Sequence, residues 1–119
     1  MLKRIMAFLA RRAPNVFRRR RYSGLRVVKR MSDVPAETGS LIYLVERNGR
    51  RLWAVLECPC RLGHRLSVSL QASDNPHWTL KSEGNLATIH PSLWYRDQCR
   101  SHFWITRNQV KWASECRTE

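Results

Sequence analysis

Cys58-Pro59-Cys60 and Cys99-Arg100-Ser101-His102 are the two short runs on which the reading of this chain turns. Each lies between segments rich in strand formers, and together they hold three of the four cysteines and one of the four histidines. Cys99 and His102 have the C-x-x-H spacing of a zinc knuckle. Cys58 and Cys60 are one residue apart, and Pro59 holds the chain open between them so that both sulfurs can converge on one ion. The expectation is a single tetrahedral Cys3His site, Cys58, Cys60, Cys99 and His102, tying two loops together around Zn2+. A closed four-ligand site is structural rather than catalytic. His64, four residues after Cys60, is an alternative ligand in place of Cys60 or His102. Paired loops of this kind resemble the arrangement in zinc ribbons and Rieske domains, although Cys-Pro-Cys stands where a Rieske loop has a histidine.

Around these runs the pattern is β. Leu41-Ile-Tyr-Leu-Val45 and Leu52-Trp-Ala-Val-Leu56 flank Asn48-Gly49, a hairpin turn in which both residues tolerate positive φ. Arg65 to Leu70 alternates apolar and polar, which marks a half-buried strand. Asp74-Asn75-Pro76 and Glu83-Gly84-Asn85 are turns, with His77–Leu80 and Leu86–Ile89 strand-like. His90-Pro91-Ser92 reads as a break, and Ser92–Tyr95 as a helical turn leading to Cys99. Phe103–Thr106 and Gln109–Trp112 form a last hairpin around Arg107-Asn108. Leu25–Val28 is a short strand candidate in the connector before Gly39. The expected fold is mainly β, a small antiparallel sheet domain of six or seven short strands with two metal-binding loops.

The first quarter of the chain differs. Of the 22 Lys and Arg, eleven lie in residues 1–30, which contain no Asp or Glu, so nearly all of the net charge of +13 sits there. Leu2, Ile5, Met6 and Leu9 recur at helical spacing, which predicts a basic amphipathic N-terminal helix followed by the run Arg18, Arg19, Arg20 and Arg21. The division is thus an arm, 1–30, and a zinc-stabilised β domain, 31–119. An apolar face with an arginine run suits docking on a protein partner. A nucleic acid gripped through its phosphates, an anionic membrane surface, and packing back on the domain are the competing readings.

The apolar run Ile5–Ala10 is too short for a secretory h-region, and no stretch of about 18 apolar residues exists to span a membrane. The expected location is cytoplasmic, where clustered Cys and His mean metal rather than disulfides. Cys116 lies in a polar tail and reads as a spare thiol, and His77 and His90 as loop residues. The five tryptophans read as core. No glycine loop cradles phosphate. A Cys99–His102 dyad lacks an oxyanion loop, and an orienting acid beyond Asp97. No enzyme activity is expected.

Several runs also resemble an uncharacterised bacterial family of small metal-binding proteins: Ser32–Pro35, Gly39–Val45, Trp53–Cys60, His90–Trp94, Cys99-Arg-Ser-His-Phe-Trp-Ile105 and Val110–Trp112. Members of that family are encoded beside prokaryotic ubiquitin-like conjugation genes. The resemblance implies partners among ubiquitin-like conjugation components. The family often has cysteines where this chain has Leu62 and Ala113. If the cysteine at the first place were a ligand, His64 would be its substitute here. The function expected from the sequence is therefore a non-catalytic zinc-binding adaptor of a ubiquitin-like conjugation system, with a nucleic-acid-binding module as the alternative.

Overall fold

The computed structural model describes residues 18–95 and 99–113. Eight strands fall in that range: β1 (Gly24–Val28), β2 (Leu41–Arg47), β3 (Arg50–Glu57), β4 (Arg65–Ser69), β5 (Thr79–Glu83), β6 (Leu86–Tyr95), β7 (Ser101–Thr106) and β8 (Gln109–Trp112). They form two four-stranded sheets, ordered β1-β2-β3-β4 and β5-β6-β7-β8. The only helical element among the described residues is a 3-10 turn, Met31–Asp33.

Local chemistry sets the hairpins. Asn48 and Gly49 take φ of 54° and 74°, and Arg107 and Asn108 take 49° and 69°. Both pairs are the left-handed two-residue turns whose twist matches that of the flanking strands. β1 departs from the all-antiparallel expectation, since it runs parallel to β2 with Gly24 opposite Leu41. The connection through Met31–Asp33 crosses over and brings the chain back in the same direction, as parallel pairing requires.

One core lies between the sheets. Ile42 and Leu44 of β2, Ala54 and Leu56 of β3, and Leu66 and Val68 of β4 meet Leu80, Ala87, Ile89, Leu93, Phe103 and Ile105 of the second sheet. The opposite face of the first sheet is also covered. Tyr43, Val45 and Val55 pack with Val34 and Met31 of the crossover connection. This explains why β2 reads as a continuous apolar run rather than an alternating one.

Asn108 joins the two halves. It is buried, its Oδ1 accepts from Ala87 N at 2.7 Å, its Nδ2 donates to Asn85 O at 3.0 Å, and its carbonyl accepts from Tyr22 N at 2.7 Å.

The expected N-terminal helix, with Leu2, Ile5, Met6 and Leu9, lies outside the described residues. The arginine run that follows is not helical. Arg19 N donates to Pro59 O and its Nη2 meets Glu57 Oε1 at 3.0 Å. Val110 N donates to Arg20 O, and Arg21 bridges to Gln109. The Arg18 guanidinium sits 4.2 Å from the centroid of the Trp112 ring. This segment lies against the free edge of β8 and beside the Cys58–Cys60 loop, with Tyr22 fully in the core. No helix among the described residues is long and apolar enough to cross a membrane.

Residues 92–95 are a second correction. The expected helical turn is the end of β6, which runs on through Pro91. The β6–β7 register shifts between Ile89 and Leu93, and a bulge is one of the few places where a sheet tolerates proline.

Candidate functional site

Two groups of reactive side chains lie near one end of the β6–β7 hairpin. The first is a thiol–imidazole cluster. β3 leads into Cys58, and the chain turns back at once: Arg61 N donates to Cys58 O, and Cys58 N donates to His64 O at 2.8 Å. Arg61 and Gly63 take φ of 64° and 94°, and this tight loop carries His64 over Cys60. Leu62 N points at Cys60 Sγ, 3.4 Å away, and His64 Nδ1 lies at 3.4 Å from the same sulfur. From the other side the bend that leads into β7 delivers Cys99, whose Sγ is 3.5 Å from that of Cys58. The ligand atoms of Cys58, Cys60, His64 and Cys99 all lie within 4.8 Å of one another.

Three thiols at this separation cannot all ionise without a cation. Hydrogen bonds with Cys58 and then Cys60 lower the Cys99 thiol to about 2, so the first negative charge rests there. Cys58 is pushed far up by its hydrogen bonds with Cys60 and Cys99 and by burial. Cys60 rises to about 12: its hydrogen bond with Cys58 works downward, and Cys99 and burial outweigh it. A soft divalent ion removes that conflict, and three sulfurs with one imidazole make a tetrahedral donor set that it accepts. The residues fit a metal ion.

The expected set placed His102 in this cluster, and the structure places His64 there instead. Cys58, Cys60 and Cys99 come together as expected. His102 belongs to the second group. It lies on β7, where Ser101, Phe103 and Ile105 turn into the core and His102 and Trp104 turn outward. Trp94 of β6 is its cross-strand partner, and the two rings stack at 4.3 Å between centroids and 5° between planes. Trp104 packs on the imidazole at 5.4 Å. These two tryptophans bury His102 to 8% exposure while remaining 48% and 37% exposed themselves.

Ser92 sits two residues before Trp94, so it is the diagonal neighbour of His102 on the outer face of the sheet. Its Oγ is 2.9 Å from His102 Nε2. The Ser92 carbonyl accepts from Trp78 Nε1 at 3.1 Å, which pins the backbone in the irregular part of β6. A serine hydroxyl in contact with an imidazole nitrogen has the geometry that a nucleophile–base pair of acyl transfer needs. The stacked indole fixes the ring plane. Sequence reasoning missed Ser92 because Pro91 disguised the strand. The signal was the pair Ser92 and Trp94, at alternating positions in a run that ends opposite His102.

The dyad weighed from the sequence, Cys99 with His102, divides between the two groups. Asp97 and Cys116 lie outside the described residues. His77 has Nδ1 on the Asp74 carbonyl at 3.0 Å, an ordinary loop contact.

No curated protein and no solved structure matches the chain. A family model does, over residues 27–113, and its description is "Bacterial ubiquitination-like system serine protease (BubE)". That description overturns the expectation of a protein without enzyme activity, which rested on an incomplete Cys99–His102 dyad and the lack of a phosphate-cradling glycine loop, and weighed no serine as nucleophile. It agrees with the resemblance in placing the family in ubiquitin-like conjugation systems. With the model matching most of its length, the chain belongs to the BubE family of bacterial ubiquitination-like systems.

Proposed function

We propose that this protein is a serine hydrolase with Ser92 as nucleophile and His102 as general base. It would cut the acyl bond at the C-terminus of a ubiquitin-like protein, in a precursor or in a conjugate. The observation that carries this reading is the 2.9 Å contact between Ser92 Oγ and His102 Nε2. The family description supplies the reaction class and the system.

The chemistry follows from the pair. Ser92 Oγ attacks the substrate carbonyl and forms a C–O bond, and His102 Nε2 takes the hydroxyl proton. The tetrahedral adduct collapses, the bond to the leaving group breaks, and His102 returns the proton to that group. Water then attacks the acyl-enzyme by the same route and frees Ser92. Positioned general-base catalysis of this kind contributes about 10² to 10⁴ in rate. Exposed Trp94 and Trp104 beside the pair offer an apolar shelf on which an extended tail can lie.

The cluster of Cys58, Cys60, His64 and Cys99 is, in this reading, a structural zinc site. Its four protein donors leave no open position for water or substrate, so the metal supplies stability rather than bond chemistry. Residues Leu2, Ile5, Met6 and Leu9, with the exposed Arg20 and Arg21, serve in docking to protein components of the system, while Arg18 and Arg19 pack on the domain itself.

The test is cleavage of a ubiquitin-like protein, from the same conjugation system, that carries a C-terminal extension. The wild-type chain should release the extension, and Ser92→Ala and His102→Ala should each lose at least about a hundredfold in rate while keeping metal and fold. Full activity in Ser92→Ala would refute the assignment.

A further inference from the structure

The two groups of reactive residues are not independent. Tyr95 and Ser101 face each other as partners in the β6–β7 register, and the next pair inward is Trp94 with His102. Tyr95 packs on the His64 ring, with centroids 5.1 Å apart and a 44° tilt. Ser101, 1% exposed, has its Oγ 2.9 Å from Cys99 Sγ. Each strand of the hairpin therefore touches a residue of the cluster at the position next to its member of the stacked pair, Tyr95 after Trp94 and Ser101 before His102. The two contacted residues come from separate parts of the chain, His64 from the loop after β3 and Cys99 from the bend before β7.

A one-residue slip in a strand pair sends every side chain to the other face, and buried Leu93 and Phe103 hold the parity of this segment on its core side. The β6–β7 register is already irregular between Ile89 and Leu93. The pairs from Leu93–Phe103 to Tyr95–Ser101 carry the β6–β7 pairing on which the position of His102 relative to Ser92 depends.

Resting on the assignment of Ser92 and His102 above, we propose that a metal ion held by Cys58, Cys60, His64 and Cys99 clamps the Tyr95–Ser101 end of this hairpin and so keeps His102 in hydrogen-bonding reach of Ser92. Tyr95 and Ser101 are positioning residues. The ion takes no part in bond making, yet activity depends on it. A displacement of about 1 Å at a reacting pair costs about a hundredfold in rate, which sets the size of the effect.

The experiment uses the full chain and p-nitrophenyl acetate. In this reaction Ser92 Oγ gains the acetyl group, p-nitrophenolate leaves, and the hydroxyl proton passes to His102. The burst rate of p-nitrophenolate release and the metal content are measured for the wild type, Tyr95→Ala, Tyr95→Phe and Ser101→Ala, and for wild type after chelation and after zinc is restored. The proposal expects Tyr95→Ala and Ser101→Ala to keep metal and the circular dichroism of the wild type while the burst slows about a hundredfold. Tyr95→Phe, which keeps the ring against His64, should stay near the wild-type rate, and added zinc should restore the chelated protein. An unchanged burst in both alanine variants overturns it, and so does an unchanged burst in metal-free protein. Loss of metal from Ser101→Ala also overturns the role given to Ser101, which would then support the site itself. A wild-type chain whose burst survives Ser92→Ala refutes the nucleophile assignment, a distinct failure that removes the proposal's premise.

Discussion

His102 Nε2 and Ser92 Oγ lie 2.9 Å apart on the outer face of the second sheet, joined diagonally across two adjacent strands. The pair depends on the pleat. Within β7, residues of one parity fill the core and residues of the other face outward. Cys99 precedes β7, and Arg100 behind it takes a φ of 53°, so the chain bends between the cysteine and the strand. That bend turns Cys99 to the cluster, while His102 stays on the outer face of β7 beside Ser92 and Trp94.

Metal binding separates the two histidines. His64→Ala should weaken zinc binding by at least about tenfold, the lower end of the loss for even outer-shell changes at metal sites. His102→Ala should leave zinc binding unchanged. Competition with a chromophoric chelator measures both. Weaker binding in His102→Ala with normal binding in His64→Ala would restore the ligand set expected from the sequence.

Zinc affinity should rise with pH. The Cys58 and Cys60 thiols have raised pKa values, so in the metal-free fold they carry protons through neutral pH, whereas Cys99 is already a thiolate. Ligation needs thiolates, so binding should release about two protons, and affinity should climb by about two log units per pH unit around neutrality. Calorimetry in buffers of different ionisation enthalpy counts the protons. Release of none would contradict this charge state.

Asn108→Ala should destabilise the fold by about 2–3 kcal/mol, since it leaves the buried Ala87 amide without its acceptor and puts alanine at a φ of 69°. Urea unfolding of the metal-loaded protein gives the value. A loss below about 0.5 kcal/mol would mean that the two hairpins do not depend on this side chain.

Removal of residues 1–17 should leave the sheets folded and metal-loaded while weakening capture of protein partners. Extending the deletion through Tyr22 should lower the melting temperature sharply, because Arg19, Arg20 and Tyr22 bond to Pro59, Glu57, Val110 and Asn108. Thermal melts of the two truncations make the comparison. Equal melting temperatures would show that this segment adds no stability.

Much of the sheet structure was legible in the sequence because its signals are local. Asn48-Gly49 dictates its turn, and the alternation from Arg65 to Val68 appears in β4, where only Ser69 is buried against expectation. The parallel pairing of β1 was not legible, since nothing in Leu25–Val28 tells which neighbour it will join. Pro91 and Ser92 carried turn chemistry that the sheet overrode through a register shift. The cysteines could be read as a cluster from their placement beside turns. The fourth member could not, because choosing His64 required knowing that Arg61 and Gly63 fold the loop back on Cys60, and that the chain bends at Arg100 before His102 enters β7.

The most direct test of the account is covalent labelling. Full-length protein is treated with a fluorophosphonate, which reacts only with a serine activated by a neighbouring base, and the adduct is located by peptide mass spectrometry. The account predicts one adduct per chain, on Ser92, and none in His102→Ala protein that retains its metal and fold. An adduct on another serine, or a protein that cleaves its ubiquitin-like substrate while Ser92 stays unlabelled, would contradict it.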